Sequence, residues 1–245
     1  MSTLQNHPFP VEAFFNASLV LTYAVPKAEL EKMIPECLQL DLFKDEWAFI
    51  AAAFVDTKQL RPGGFPKFLG NDFFLTGFRI FVRYQNSYGK RLRGLYILRS
   101  ETNKTKMSLL GNIFTHYKYV TTDIEYYQDE ETISIFSKHS NLNVRASVNK
   151  TNVPLPPSSP FSAWKEARRF AGPLPFTFSY NDKTREVLIV EGVRENWEPA
   201  PVAILKNKIG FIDDMNIPGI VLANAFLIEN IPYSWKKGKT EIWKG

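Results

Sequence analysis

The chain has 245 residues, 44% of them hydrophobic, and carries 20 Phe, 10 Tyr and 5 Trp against a formal charge of only +5. The positive excess is spread along the chain. Its densest stretch is Lys90-Arg91-Leu92-Arg93, followed by Arg99, so the clustered basic face that nucleic-acid binding requires is not expected. Cys37 is the one cysteine, which excludes an intrachain disulfide and fits a reducing compartment.

Residues 1–10 lack the basic and apolar regions of a signal peptide. The longest uncharged apolar run, Ala48 to Val55, is far short of a membrane span. These features predict a cytoplasmic protein with neither a membrane nor a nucleic-acid partner.

Ala13 to Val25 reads as a strand and Lys27 to Ile34 as a short helix, with Pro26 at its first turn and Pro35 ending it. Trp47 to Val55 is apolar throughout, as expected of a strand buried on both faces. Arg61 to Gly70, with its Pro and Gly residues, reads as a loop. Phe73 to Gln85 gives the clearest period of two: Phe74, Phe78, Ile80, Val82 and Tyr84 on one face, Leu75, Gly77, Arg79, Phe81 and Arg83 on the other. A turn at Ser87 to Lys90 and a return strand from Leu92 to Arg99 complete a hairpin.

Lys104 to Thr115 has helical spacing. Tyr117 to Tyr127 reads as one strand, followed by strands at Thr132 to Lys138 and Asn143 to Val148. The Pro- and Ser-rich stretch from Thr151 to Pro160 connects elements rather than domains. A helix over Phe161 to Phe170 and strands over Phe176 to Tyr180, Glu186 to Glu191, Val202 to Leu205 and Ala223 to Ile231 follow. The expected fold class is α+β, mainly antiparallel β, as a single domain over residues 1–245 with a few short helices.

No nucleophile elbow, zinc-protease motif or nucleotide-binding glycine loop occurs. His7, His116 and His139 lack metal-ligand spacing, so neither a metal nor a cofactor is expected. Cys37, between Pro35 and the pair Leu38 and Leu40, reads as a small packed hydrophobe.

Lys118 shares a predicted strand face with Val120, Ile124 and Tyr126. An amine in apolar surroundings loses protons more readily and can then attack a carbonyl. The alternative is that the lysine sits at a strand start and reaches into water. Arg79 and Arg83 offer planar forks for a carboxylate, or else cover apolar surface and pair with Glu101.

The stretch Ala17 to Pro26, then Leu30, Ile34-Pro35, Leu38 and Leu40-Asp41, resembles the opening of the YqjF-like family in the acetoacetate decarboxylase-like superfamily. The similarity continues through Trp47 to Phe54, Arg61 to Pro66, Phe78 to Tyr84, Gly94 to Leu98, Trp164 to Phe170 and Trp197 to Pro199. The resemblance implies an antiparallel β-barrel with outer helices around a small-molecule cavity. It also implies decarboxylase-like lyase chemistry on a keto acid or related carbonyl compound, through a lysine Schiff base.

In the decarboxylases that lysine lies in a Gly-Arg-Glu…Pro-Lys-Lys segment. Here Gly111 to Tyr119 takes its place, with Lys118 near the expected position but without the Gly-Arg-Glu start, the proline or the paired lysine. The set implied is Lys118 as the amine, Glu101 or His116 as proton carriers, and Arg79, Arg83 and Tyr117 as substrate contacts. The alternative is a non-catalytic ligand-binding protein on the same scaffold. Self-association into a homo-oligomer is left open.

Overall fold

The apolar runs read from the sequence become strands that continue well past their apolar parts. The computed structural model describes residues 3–170, 174–195 and 197–245. In chain order the elements are β1 (Val11–Pro26), α1 (Lys27–Glu31), β2 (Gln39–Leu40), β3 (Trp47–Pro62), β4 (Asn71–Gln85), β5 (Arg91–Thr102) and α2 (Thr105–Phe114). Next come β6 (Tyr119–Thr121), β7 (Glu125–Gln128), β8 (Thr132–Ser137), β9 (Leu142–Ser147), α3 (Trp164–Phe170), β10 (Phe176–Asn181) and β11 (Glu186–Arg194). The chain ends with β12 (Ala200–Pro201), β13 (Ile204–Ile209), α4 (Gly210–Asp213), β14 (Val221–Trp235) and β15 (Lys239–Ile242).

The strands form a large sheet in the order β12-β14-β1-β3-β4-β5-β10-β11-β15 and a smaller one in the order β13-β9-β8-β7. Within the large sheet β11 also pairs with β14, through Gly192↔Trp235, Val193↔Ser234 and Arg194↔Tyr233, so the strand path returns on itself. Most pairings are antiparallel; β5 instead takes β10 and β6 as parallel neighbours on one edge.

The two faces of the large sheet have different work. One face, with Leu19, Leu21, Phe54, Phe78 and Ile80, packs on Ile133, Ile135, Val144 and Ala146 of the smaller sheet. The other face carries Phe49, Val55, Phe73, Phe81, Phe226 and Ile228. It is closed at one end by aromatic side chains around α3: Phe161 stacks on Phe49 at 5.6 Å, and Phe170 lies 4.9 Å from the same ring. Between that plug and the far ends of β1 and β14 lies a cavity.

Readings change at several elements: the helix expected over Phe161 to Phe170 begins at Trp164, and the strand expected over Val202 to Leu205 gives way to β12, which ends at Pro201, and β13, which starts at Ile204. The helix after β1 is shorter than predicted, because it stops at Glu31. Residues 117–127 are not one strand. They divide into β6, which joins the large sheet, and β7, which joins the small one. Between them Asp123 accepts hydrogen bonds from the Ser137 hydroxyl and the His139 amide, which turns the chain out of extended geometry. Cys37 is buried among the core residues, and burial pushes its thiol pKa up to about 12. No helix among the described residues is long and apolar enough to cross a membrane.

Candidate functional site

The cavity has a volume of about 130 Å³ and a mainly apolar lining, among it Phe15, Val20, Ala51, Ala53 and Phe226. Its charged lining is of one sign. Arg79, Arg168 and Arg194 face it, and among the described residues no Asp, Glu, Lys, His or Cys does. The polar remainder includes Ser18, Thr57, Ser100, Tyr117, Tyr119, Thr177 and Tyr233.

Strand register places Arg79. It sits on a rung that runs Asn224↔Thr22, Thr22↔Ala51, Ala51↔Arg79 and Arg79↔Ile97. From there the guanidinium folds back over Gly77, where an added Cβ would stand 2.8 Å from Nη2 and 3.1 Å from Nε. A glycine inside a strand of large residues marks such a close approach. Arg79 Nε and Tyr117 Oη are both buried without a hydrogen-bond partner.

Burial pushes the Tyr117 phenol well above its ordinary pKa, and Thr177 tempers that shift without reaching hydrogen-bond geometry. Burial likewise raises Tyr119 to about 12, against the opposing pull of Arg79. Both phenols are therefore donors at neutral pH.

Arg194, at the end of β11, lies 4.4 Å from the Trp197 ring and 5.7 Å from the Tyr233 ring. Burial is the main cause that lowers its pKa, and the neighbouring Arg79 charge adds to it.

The residues expected from sequence fall in four places. Arg79 and Tyr117 meet in the cavity. Lys118 and His116 meet elsewhere, in a shallow depression with Asn112, Ser179 and Tyr180, and Ile97 lines both spaces. Lys118 is exposed, in left-handed backbone (φ 54°), with its amine 5.7 Å from the Tyr96 ring. The His116 Nε2 lies 3.2 Å from Asn6 Oδ1. The shared apolar strand face expected for Lys118 is replaced by a break in the chain, so the amine and Arg79 are not brought together.

Arg83 and Glu101 join neither group. Arg83 has the same strand parity as Arg79, but its guanidinium holds the fully buried Asp41 at 2.5 Å, and Arg93 holds the second oxygen of that carboxylate at 2.6 Å. Glu101 follows a register shift in the β4–β5 pairing, between Phe78 and Arg79, which turns it away from the cavity. It pairs with Arg99 at 2.9 Å, and Arg99 in turn covers Phe211 in the packed face.

Arg168, Arg194, Tyr119 and Trp197 were not singled out as site residues from sequence. Gly77 within β4 was the available signal for the position of Arg79. Arg194 had none, because its place in the cavity depends on the pairing of β11 with β14.

The family model for DUF2071, described as an uncharacterized conserved protein, matches residues 13–228. The chain belongs to this family. No curated protein sequence matches it significantly.

Among solved structures, acetoacetate decarboxylase from Legionella pneumophila superposes with a TM-score of 0.60 at 13% identity, covering 96% of this chain and 88% of that one. An acetoacetate decarboxylase-like enzyme from Sphingomonas wittichii gives 0.59 at 11%, covering 98% and 94%. The enduracididine biosynthesis enzyme MppR, complexed with pyruvate, gives 0.51 at 10%, covering 95% and 88%. At these identities the likeness is one of fold: a strand-rich, mostly antiparallel α+β architecture of the acetoacetate decarboxylase kind.

Proposed function

We propose that this protein binds a small organic acid in the arginine-lined cavity, taking the strand circuit as a closed barrel with the cavity as its interior. The observation that carries the reading is a set of uncompensated donors. Arg79 and Arg194, with the exposed Arg168 beside them, face an apolar space that no carboxylate among the described residues lines, and Arg79 Nε and Tyr117 Oη are buried and unpartnered. Buried donors without acceptors are costly, and a ligand carboxylate removes that cost through charge-assisted hydrogen bonds.

The size fits, since a cavity of about 150 Å³ holds a molecule such as benzene. A keto acid is a natural member of this class, in keeping with pyruvate bound to MppR on the same fold. The binding reading is preferred to imine chemistry, because no lysine among the described residues lines the cavity and the Lys118 amine opens onto the outer depression.

Trp197 and Trp235 line the cavity and supply the readout. Titration of the full chain with pyruvate and acetoacetate, followed by tryptophan fluorescence and calorimetry, is expected to show saturable binding. Arg79→Gln is expected to weaken it by roughly tenfold or more. Absence of saturable binding by either acid, or undiminished affinity in a folded Arg79→Gln variant, overturns the reading.

A further inference from the structure

We propose that Arg194, Trp197 and Tyr233 form a second anion subsite, so that the ligand is a short dicarboxylate reaching from Arg79 to Arg194. This rests on the reading that the cavity binds an organic anion and narrows it to a class.

The first observation is the placement of the two arginines. Arg79 belongs to the rung of Ala51. Arg194 pairs with Tyr233, which pairs with Ala13; that rung crosses β3 between Lys58 and Arg61, well along the same strand. By folding over Gly77, the residue paired with Ala53, Arg79 turns its guanidinium toward the end where Arg194 lies. Two guanidiniums at different heights suit two carboxylates better than one.

The second observation is that the Arg194 position is built. Tyr233 stacks on Phe15 at 4.7 Å and packs at a tilt against Trp235 at 4.5 Å. Its hydroxyl occupies the space beside Gly192, where an added Cβ would stand 2.1 Å away. Arg194 lies against this fixed ring and against Trp197. Aromatic faces hold a guanidinium by its plane and leave its N–H edge free for a carboxylate.

The third observation is charge. Neither arginine has a carboxylate partner among the described residues, and the charge of Arg79 reaches Arg194. A single ligand carboxylate would leave one of the two uncompensated in an apolar space. Arg168 is exposed, so water screens it and it needs no third anion.

The test compares equal-length probes on the full chain by calorimetry: succinate against butyrate, and glutarate against pentanoate. The dicarboxylates are expected to bind at least about tenfold more tightly. Arg194→Gln is expected to collapse that preference to about unity, and Arg83→Gln, outside the cavity, to leave it intact. Circular dichroism and melting temperature verify that each variant is folded; should Arg194→Gln fail to fold, Arg194→Lys, which keeps charge without the fork, is expected to reduce the preference instead. Monocarboxylates that bind as tightly as dicarboxylates overturn the second subsite and leave the binding reading standing. A preference that survives in the folded Arg194 variant overturns it too. Absence of binding by all four acids overturns the second subsite, while pyruvate and acetoacetate titrated alongside decide the binding reading separately.

Discussion

At the scale of one residue, Gly77 gives the Arg79 guanidinium its room beside the strand. The guanidinium of Arg79 rests where a β-carbon would otherwise stand. A methyl group there displaces the flexible end of a side chain rather than backbone, so the strand itself tolerates it. Gly77→Ala is therefore expected to leave the melting temperature nearly unchanged, since alanine is better tolerated than glycine within a strand by about 0.5–1 kcal/mol. Affinity for pyruvate should nevertheless fall by about tenfold as the fork is pushed off its place. Equal affinity in the variant would show that the fold over Gly77 does not position the donor.

Ion pairing governs the next scale, that of the element. Asp41 is fully buried between Arg83 and Arg93, and it ties the segment with β2 to β4 and β5. Removing its carboxylate leaves two cations facing each other. Both arginines are more than a third exposed, so water screens part of the penalty. Asp41→Ala is expected to cost about 2–3 kcal/mol in urea denaturation, less than the loss of a deeply buried pair, while ligand affinity stays as it was. A loss in binding equal to that of Arg79→Gln would place this cluster in the site.

The alternation in β4 was legible because its period of two runs unbroken, and so the shared parity of Arg79 and Arg83 was legible as well. Their separate fates were not. They depend on Asp41, a residue distant in sequence that β2 brings alongside. The break after residue 117 was equally hidden. A lysine in left-handed backbone has no local signature. It is held there by Asn112, whose side chain accepts from the Tyr119 amide and donates to the Tyr119 carbonyl, each at 2.8 Å. Tertiary clamping of this kind overrides strand propensity.

Over the whole molecule, the composition announced an apolar sheet but not the division of its faces. Both faces are apolar and carry several Phe; only assembly shows that one is packed by the smaller sheet and the other borders a cavity. The seams of the assembly respond to pH. The backbone of His7 joins α2 to the segment after β14, donating to Phe114 and accepting from Gly238. Burial lowers the pKa of both His7 and His116.

In the unfolded chain each titrates near 6.5, so below that pH the unfolded state takes up more protons and stability falls. It is fully present above about 6.5. Asp123, whose carboxylate the Ser137 hydroxyl holds below its ordinary range, adds a loss of the same direction only at lower pH, beginning near 3.8. Thermal melts from about pH 7.5 to about pH 5.5 are expected to show a fall in the wild type and a shallower one in His7→Gln. Identical slopes would exclude His7 as a source.

The left-handed residue at 118 has one more consequence. Tyr117 and Lys118 share a peptide bond but not an environment: one side chain lines the apolar cavity, the other meets open water. A mutation at 117 can alter the interior with an amine, an acid or a bare methyl while its neighbour goes on meeting solvent. The two positions are thus free to evolve separately, although they are adjacent in the chain.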